Sequence, residues 1–461
     1  MLYNIIMAKQ SKITNFKPKI IIYIKNSSIP DELKDQAKLL KKNTFTPKNI
    51  LRKDNSIILF TTNFHLEPFQ MNYLLLNLGM KLYNFCENET FYLELVGGDK
   101  NKEFNIRLGW QLESYNFQKF KKIKSKNNIL KSLHKNEKKI DFFKDVYFYV
   151  RDLINMPPNV LGPKQIYDSA KDYLKQNFSS KKFSGKFLQK EFPLISAVGK
   201  GSIKKNEPLL CEFKSKKKNK RKIYIIGKGV SFDTGGLNLK LGNGMSLMKK
   251  DMGGAANAIG LGKILSTLDL NVEVNILLCL VENSLSDKSM RPSDIYQSRQ
   301  GTFVEVSDTD AEGRLIMADA LTYASENNPE LVIDMATLTG ASRVAMGLEI
   351  PSFFSNSTSF SKDLKNESEK LGDPLWELPL WQNYISQIKS NHADLKNIGN
   401  SSFGGAITAA LFLEQFIKKD IPWIHIDLMA WTKTSIFSKY EGGEAMGIRA
   451  LSELIKNRFS K

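Results

Sequence analysis

From about residue 190 onward, short runs of β-branched and aliphatic residues alternate with helical patterns: KIYIIGKGV, AANAIGLGKILSTL, VEVNILLCLV, GRLIMADALTYASE and LVIDMATL follow one another along the chain. Strands written as continuous apolar runs must be covered on both faces, and the intervening helices supply that cover. The pattern therefore predicts a mainly parallel central sheet with helices on its faces. In such sheets ligands sit beyond the carboxyl ends of the strands, so the chemistry is to be sought in the loops that follow these runs.

The first 150 or so residues contain strand-like IIIYIK, SIILF and FYLELVG between Lys-rich connections, with no chemical motif. A charged stretch over 121–139 gives way to DFFKDVYFYVRDLINMPPNVLGP, which places a domain boundary near 135–160, with a helix ending before Pro157 and Pro158. We therefore expect a two-domain α/β protein, with a smaller, Lys-rich N-terminal domain over 1–145 and a larger domain over 146–461. A chain of 461 residues, 42% hydrophobic and 25% charged, is long enough for each part to bury its own core. The longest apolar runs, as in NVEVNILLCLVEN, fall short of the ~20 residues of a spanning helix. MLYNIIM is not followed by a signal-peptide pattern. The expectation is a soluble, cytoplasmic protein with no membrane partner.

The formal charge of +19 suggests nucleic acid as a partner, but its distribution matters more than its total. Residues 1–222 carry 44 basic and 20 acidic side chains, and residues 223–461 carry 23 and 28, so an excess of +24 faces a balance of −5. The excess is nearly all Lys in a chain also rich in Asn and Ile, which a compositional bias of the genome would explain equally well. No helix-turn-helix, zinc finger or RNP pattern accompanies it, and aromatics do not interleave with the basic runs. Binding to nucleic acid through this half would be electrostatic and sequence-nonspecific. A second basic run, KSKKKNKRK over 214–222, reads as an exposed hairpin or loop. Cys86, Cys211 and Cys279 lack any CxxC spacing and fit a reducing compartment. His65, His134, His392 and His425 form no HxxH or HExxH pattern, which argues against a His-ligated zinc site.

The polar residues that need explaining sit where the strands end. GKGVSFDTGGLNLK places Lys228, Asp233 and Lys240 in a glycine-punctuated loop; MKKDMGGAANAIG places Asp251 at the start of a helix; SDTDAEGRL supplies Asp308, Asp310, Glu312 and Arg314 before another. The first loop fails both the Walker and the dinucleotide patterns, and alone it fits a tight strand-to-helix turn. Together the segments bring Asp233, Asp251, Asp310 and Glu312 to one sheet edge, where repulsion raises carboxylate pKa values unless cations intervene. Two divalent ions would cancel four charges. A carboxylate set without His or Cys suits Mg, Mn or Zn, and two such ions can activate a water. Lys240 and Arg314 are placed to stabilise developing or bound negative charge. Lys228 is either a salt-bridging lysine or a neutral amine ligand, and spacing does not choose between them.

GKGVSFDTGG, LNLK, KKDMGGAA and TDAEGRL, continued by IDMATLTGA and GGEAMGIRAL, resemble the metal-binding and signature segments of the leucyl (cytosol) aminopeptidase family. The resemblance covers about 150–461, opening with RDLINMPPNVLGP, and is loose over the first 150 residues. It implies a metal-dependent hydrolase that removes N-terminal residues from peptides with a free N-terminus, using two divalent ions per subunit, manganese or zinc, with magnesium compatible. Asp233 and Glu312 would bridge both ions, Asp310 would complete the more exchangeable site, and Lys228 and Asp251 the tighter one. Lys240 would stabilise the gem-diolate, and Arg314 would hold a bicarbonate as general base. Met248, Thr337, Leu338 and Gly340 match positions that contact substrate. The resemblance further implies a homohexamer and a macro-like N-terminal domain, although no glycine-rich ligand loop is evident there beyond Gly98 in LVGGDK. Three positions depart from the family pattern. Asp308 replaces the usual Asn and predicts a modest change in metal preference; Leu241 replaces a Pro after the catalytic Lys and loosens that loop; Met429 replaces a small residue near the pocket wall and puts leucine preference in doubt.

Overall fold

A computed structural model describes residues 19–23, 31, 51–53, 56–60, 68–86, 90–121, 128–132, 137–435 and 437–460. His65, His134 and much of the charged 121–139 stretch lie outside the described residues. Near the N-terminus, β1 (Lys19–Tyr23), β2 (Leu51–Lys53), β3 (Ser56–Phe60), β4 (Thr90–Val96) and β5 (Ile129–Ser132) form one sheet in the order β2-β3-β1-β4-β5. All its neighbours are parallel except the β2–β3 pair. Helices α1 (Pro68–Phe85) and α2 (Lys100–Glu113) close its core, where Ile20, Ile22, Phe91, Trp110 and Cys86 are buried together. LVGGDK is the turn into α2. The Asp99 carboxylate accepts the amides of Asn101 and Lys102, so this segment serves as a helix cap.

Helix α3 (Glu137–Asn155) contains the expected 145/146 division and ends before Pro157 as the sequence suggests. Beyond it lies an eight-stranded sheet in the order β14-β13-β16-β12-β8-β9-β7-β6. Its strands are β6 (Phe178–Phe183), β7 (Leu209–Ser215), β8 (Lys222–Asp233), β9 (Glu273–Asn283), β12 (Leu331–Ala336), β13 (Ser352–Ser355), β14 (Trp376–Glu377) and β16 (Trp423–Asp427). The four central strands, β9-β8-β12-β16, are parallel, as their apolar runs require. The flanks make the sheet mixed, since β7 runs antiparallel to β9, β6 to β7, and β13 to β16. Because β7 pairs with β9 and not with β8, the basic run at 214–222 is a crossover loop and not a hairpin.

Successive residues of β8 face opposite sides. Ile223 and Ile225 pack with α4 (Gly253–Leu265) and α3, while Tyr224 and Ile226 pack with α5 (Glu312–Glu326). Each fully buried aliphatic side chain contributes about 1.5–3 kcal/mol, which commits both faces of the sheet to its helices. Cys211 and Cys279 sit on neighbouring strands, opposite Leu278 and Leu210, and both are buried. A small sheet of β10 (Ile295–Gln297), β11 (Phe303–Glu305) and β15 (Leu395–Lys396) lies above this core and delivers the 307–311 loop to its edge. In register, Asp233 pairs with Asn283 and Ala336 with Asp427, so β8, β9, β12 and β16 all end at one rim. No helix among the described residues is long and apolar enough to cross a membrane.

Candidate metal centre

The rim gathers the acidic residues of three separate loops. Lys228, buried within β8, places its ammonium 2.8 Å from Asp251 Oδ2 and 2.9 Å from Glu312 Oε1, and donates to the Thr337 carbonyl at 3.0 Å. Asp233 ends the same strand; Lys240 Nζ lies 2.8 Å from its Oδ2 and also contacts Asp310 Oδ1. Carboxylate oxygens of Asp233, Asp310 and Glu312 lie within 4.8 Å of one another. Asp251 accepts the Thr337 hydroxyl at 2.7 Å. The five expected ligands and Lys240 thus form one cluster.

The turn that makes this possible is local. Asp233 Oδ1 accepts the Gly235 amide at 2.9 Å, and Gly235 has φ of +87°, a conformation open to glycine without strain. Gly313 is required for a different reason, because a Cβ there would lie 2.6 Å from Lys228 Cε. Four positioning residues escaped the sequence reading. Asn283 donates to Asp233 and to the Thr309 carbonyl, Thr309 and Asn238 bond reciprocally, and Asn397 accepts the amides of Ser307 and Asp308 while donating to the carbonyls of Asp308 and Ala311. The available signal was an Asn closing an apolar strand. Asp308 spends Oδ1 on the Asp310 amide, and Leu241 is exposed.

Burial, and after it the charge of Asp233, pushes the Glu312 carboxyl well above the carboxylate range and raises Asp310 to about 6. Burial would raise Asp233 as well, but Lys240 and Lys228 outweigh it and hold that group low. Lys228 and Lys240 are both held above the usual lysine value by these carboxylates, against the effect of burial. Asp251 Oδ2 and Glu312 Oε1 are sealed from solvent and, although beside the Lys228 ammonium, receive no hydrogen bond. Asp233, Asp310 and Glu312 converge within 4.8 Å, with Asp251 joined to them through Lys228, and hard divalent cations bind such carboxylate clusters, so the residues fit divalent metal.

Arg314, on the first turn of α5, is buried with Nε and Nη1 unbonded; burial pulls it down to about 10 against Glu312, Asp308 and Asp427. Thr337 and Leu338 follow β12, and Gly340 opens α6 (Gly340–Met346). This segment is held by Asp427, which accepts the amides of Leu338 and Thr339. Met248 is half-buried in the same short turn as Asp251. Lys250, in that turn, went unnoticed in the sequence. Burial and the nearby Arg343 lower it to about 7, with Asp251 and Asp427 opposing. His425 takes no part in the cluster and bonds Asp334 at 2.6 Å inside the sheet.

The sequence profile of the cytosol aminopeptidase family, catalytic domain, matches residues 148–452. A probable cytosol aminopeptidase of Prochlorococcus marinus (strain MIT 9211) is 40% identical over 65% of this chain and 62% of its own length. That of Prochlorococcus marinus (strain AS9601) is 35% identical over 78% of this chain and 80% of its own. The solved structure of the cytosol aminopeptidase from Coxiella burnetii superposes with a TM-score of 0.84 at 32% identity, covering 97% of this chain and 98% of that one.

Proposed function

Because the chain belongs to the cytosol aminopeptidase family, whose members are metallo-aminopeptidases, we propose that it hydrolyses the first peptide bond of peptides with a free N-terminus through the cluster around Lys228 and Lys240. The observation that carries this is the convergence of Asp233, Asp310 and Glu312, whose carboxylate oxygens lie within 4.8 Å of one another at the sheet rim. Two divalent ions, manganese or zinc with magnesium as the weaker fit, would lower the pKa of a water and polarise the scissile carbonyl. Asp233 and Glu312 would bridge them, Asp310 would complete one site, and Lys228 and Asp251 the other, with Lys228 as a neutral amine.

Lys240 then has its counter-charges taken up and is left to stabilise the oxyanion of the gem-diolate. Arg314, with two unbonded nitrogens, would hold a bicarbonate, which would supply a general base there. Met248, Thr337, Leu338 and Gly340 would line the substrate pocket. In this reading residues 1–145 are the N-terminal domain and 146–461 the catalytic one, the enzyme acts in the cytoplasm, and it assembles as a homohexamer.

The test is hydrolysis of a panel of aminoacyl-p-nitroanilides with added Mn or Zn. Asp310→Ala and Lys240→Ala are each expected to lower kcat at least ~100-fold, the scale of losing a preorganised charge at a reacting centre. Activity that survives both substitutions contradicts the mechanism.

A further inference from the structure

Two cations beside the Thr337–Gly340 segment are poorly compensated, Lys250 with no ion pair among the described residues and Arg343 with a single long one to Asp427. Lys250 is 2% exposed, and its ammonium forms no hydrogen bond or ion pair among the described residues, yet it keeps a small accessible area. Arg343 lies three residues beyond Gly340 on α6, hence one turn along the same face, and its Nη1 is sealed with no hydrogen bond. The carboxylate beside it, Asp427, stands 3.9 Å from Nη1, an ion pair without a hydrogen bond. Its oxygens are already spent, Oδ1 on the amides of Leu338 and Thr339 and Oδ2 on the Thr339 hydroxyl at 2.5 Å. Asp251 is turned to Lys228 and Thr337. Beside these cations there is room, since a Cβ built on Gly340 would meet no atom within 4 Å.

A buried ammonium without an ion pair is costly, and an anion held between Lys250 and the half-exposed Arg343 would offset that cost. Met248 and Lys250 belong to one short turn, and Gly340 and Arg343 stand one helical turn apart, so the elements that carry the two cations also carry positions assigned above to the substrate pocket. A pocket with Met248 on its flank and these cations at its end would match a side chain with a short methylene stem and a terminal carboxylate. We propose that Lys250 and Arg343 form the end of the pocket for the substrate's first side chain, and that the enzyme prefers peptides beginning with Asp or Glu. This rests on the aminopeptidase reading.

The metal-loaded protein is assayed on Glu-, Asp-, Leu- and Lys-p-nitroanilide. The acidic substrates are expected to exceed the leucyl one in kcat/KM, with the lysyl substrate poorest. Lys250→Met and Arg343→Gln are each expected to lower the Glu:Leu ratio by roughly 30-fold, the scale of losing one partner of a buried charge pair. A wild-type preference for Leu, or a ratio that neither variant moves, overturns the proposal and leaves the aminopeptidase reading standing. Hydrolysis of none of the four overturns that reading itself. Calorimetric titration with free L-glutamate and L-leucine then still decides the pocket: glutamate binding that weakens in the variants supports it, and binding of leucine alone or of neither overturns it. Should Lys250→Met fail to fold, as its melting curve would reveal, the half-exposed Arg343 carries the test.

Discussion

Gly313 follows Glu312 on the first turn of α5, and the side chain it lacks would collide with the far end of Lys228. In Gly313→Ala the clash falls on the end of the Lys228 side chain and not on backbone, so the lysine must shift against the two carboxylates that hold it. Stability should change by no more than about 1 kcal/mol, since Ala favours the helix. Divalent-metal affinity should fall roughly tenfold, the usual cost of disturbing a ligand's support. Calorimetric metal titration checks this, and an unchanged affinity would remove Lys228 from the ligand set. The acidic members of the centre were legible in the sequence because several carboxylates converge on one sheet edge, where turn capping accounts for one of them alone but not for the set. Lys250 was not, because a lysine in KKD reads as a solvated charge until the packing of its turn is known. Arg343 was hidden for the same reason, its neighbours Ser342 and Val344 giving no hint of a pocket.

Central strands were equally legible, since only β-branched runs fill both faces of a sheet, but their edges were not. An apolar strand has the same two-residue period whether its neighbour runs with it or against it, so β6, β7 and β13 gave no sign of their direction. Between β12 and β16 the register sets Asp334 against His425, where both are fully buried and the Trp423 indole also donates to Asp334 at 2.7 Å. Burial would lower the imidazole's pKa, but Asp334 outweighs it and holds His425 above its ordinary value. A histidine whose folded pKa is raised contributes stability that is complete below the unfolded value of about 6.5 and lost as pH rises through the folded one. The melting temperature should therefore decline as pH rises from about 6.5 through that window. Asp334→Asn should flatten this slope and cost about 3 kcal/mol at pH 6. Equal slopes in the two proteins would show that the pair does not titrate.

Over the whole molecule, the charge surplus of the first half is less free than its sum suggests. In the crossover loop and its flanks Lys214 meets Glu212, Lys217 meets Asp269, Lys218 meets Glu273 and Arg221 meets Glu330, so the run is laced with ion pairs. The exposed pairs to Asp269 and Glu330 contribute at most about 1 kcal/mol each, and with the pairs to the buried Glu212 and Glu273 they reduce what a polyanion would find. The two sheets are joined more firmly by Arg151 of α3, which is buried, binds Glu444 through Nε at 3.2 Å and Nη2 at 2.7 Å, and donates from Nη1 to the Leu112 carbonyl of α2 at 2.5 Å. Arg151→Ala leaves Glu444 without its partner and should cost about 3–5 kcal/mol, read as a lower urea midpoint. The cysteines turn that experiment into a spatial one. Cys86 lies in the core of the N-terminal sheet, while Cys211 and Cys279 lie in the large sheet with burial pushing both thiols up. None can react with an aromatic disulfide dye until its own surroundings open. The unaltered chain thus carries its own clocks, one in the first sheet and two in the second, and the order in which they run tells which half lets go first.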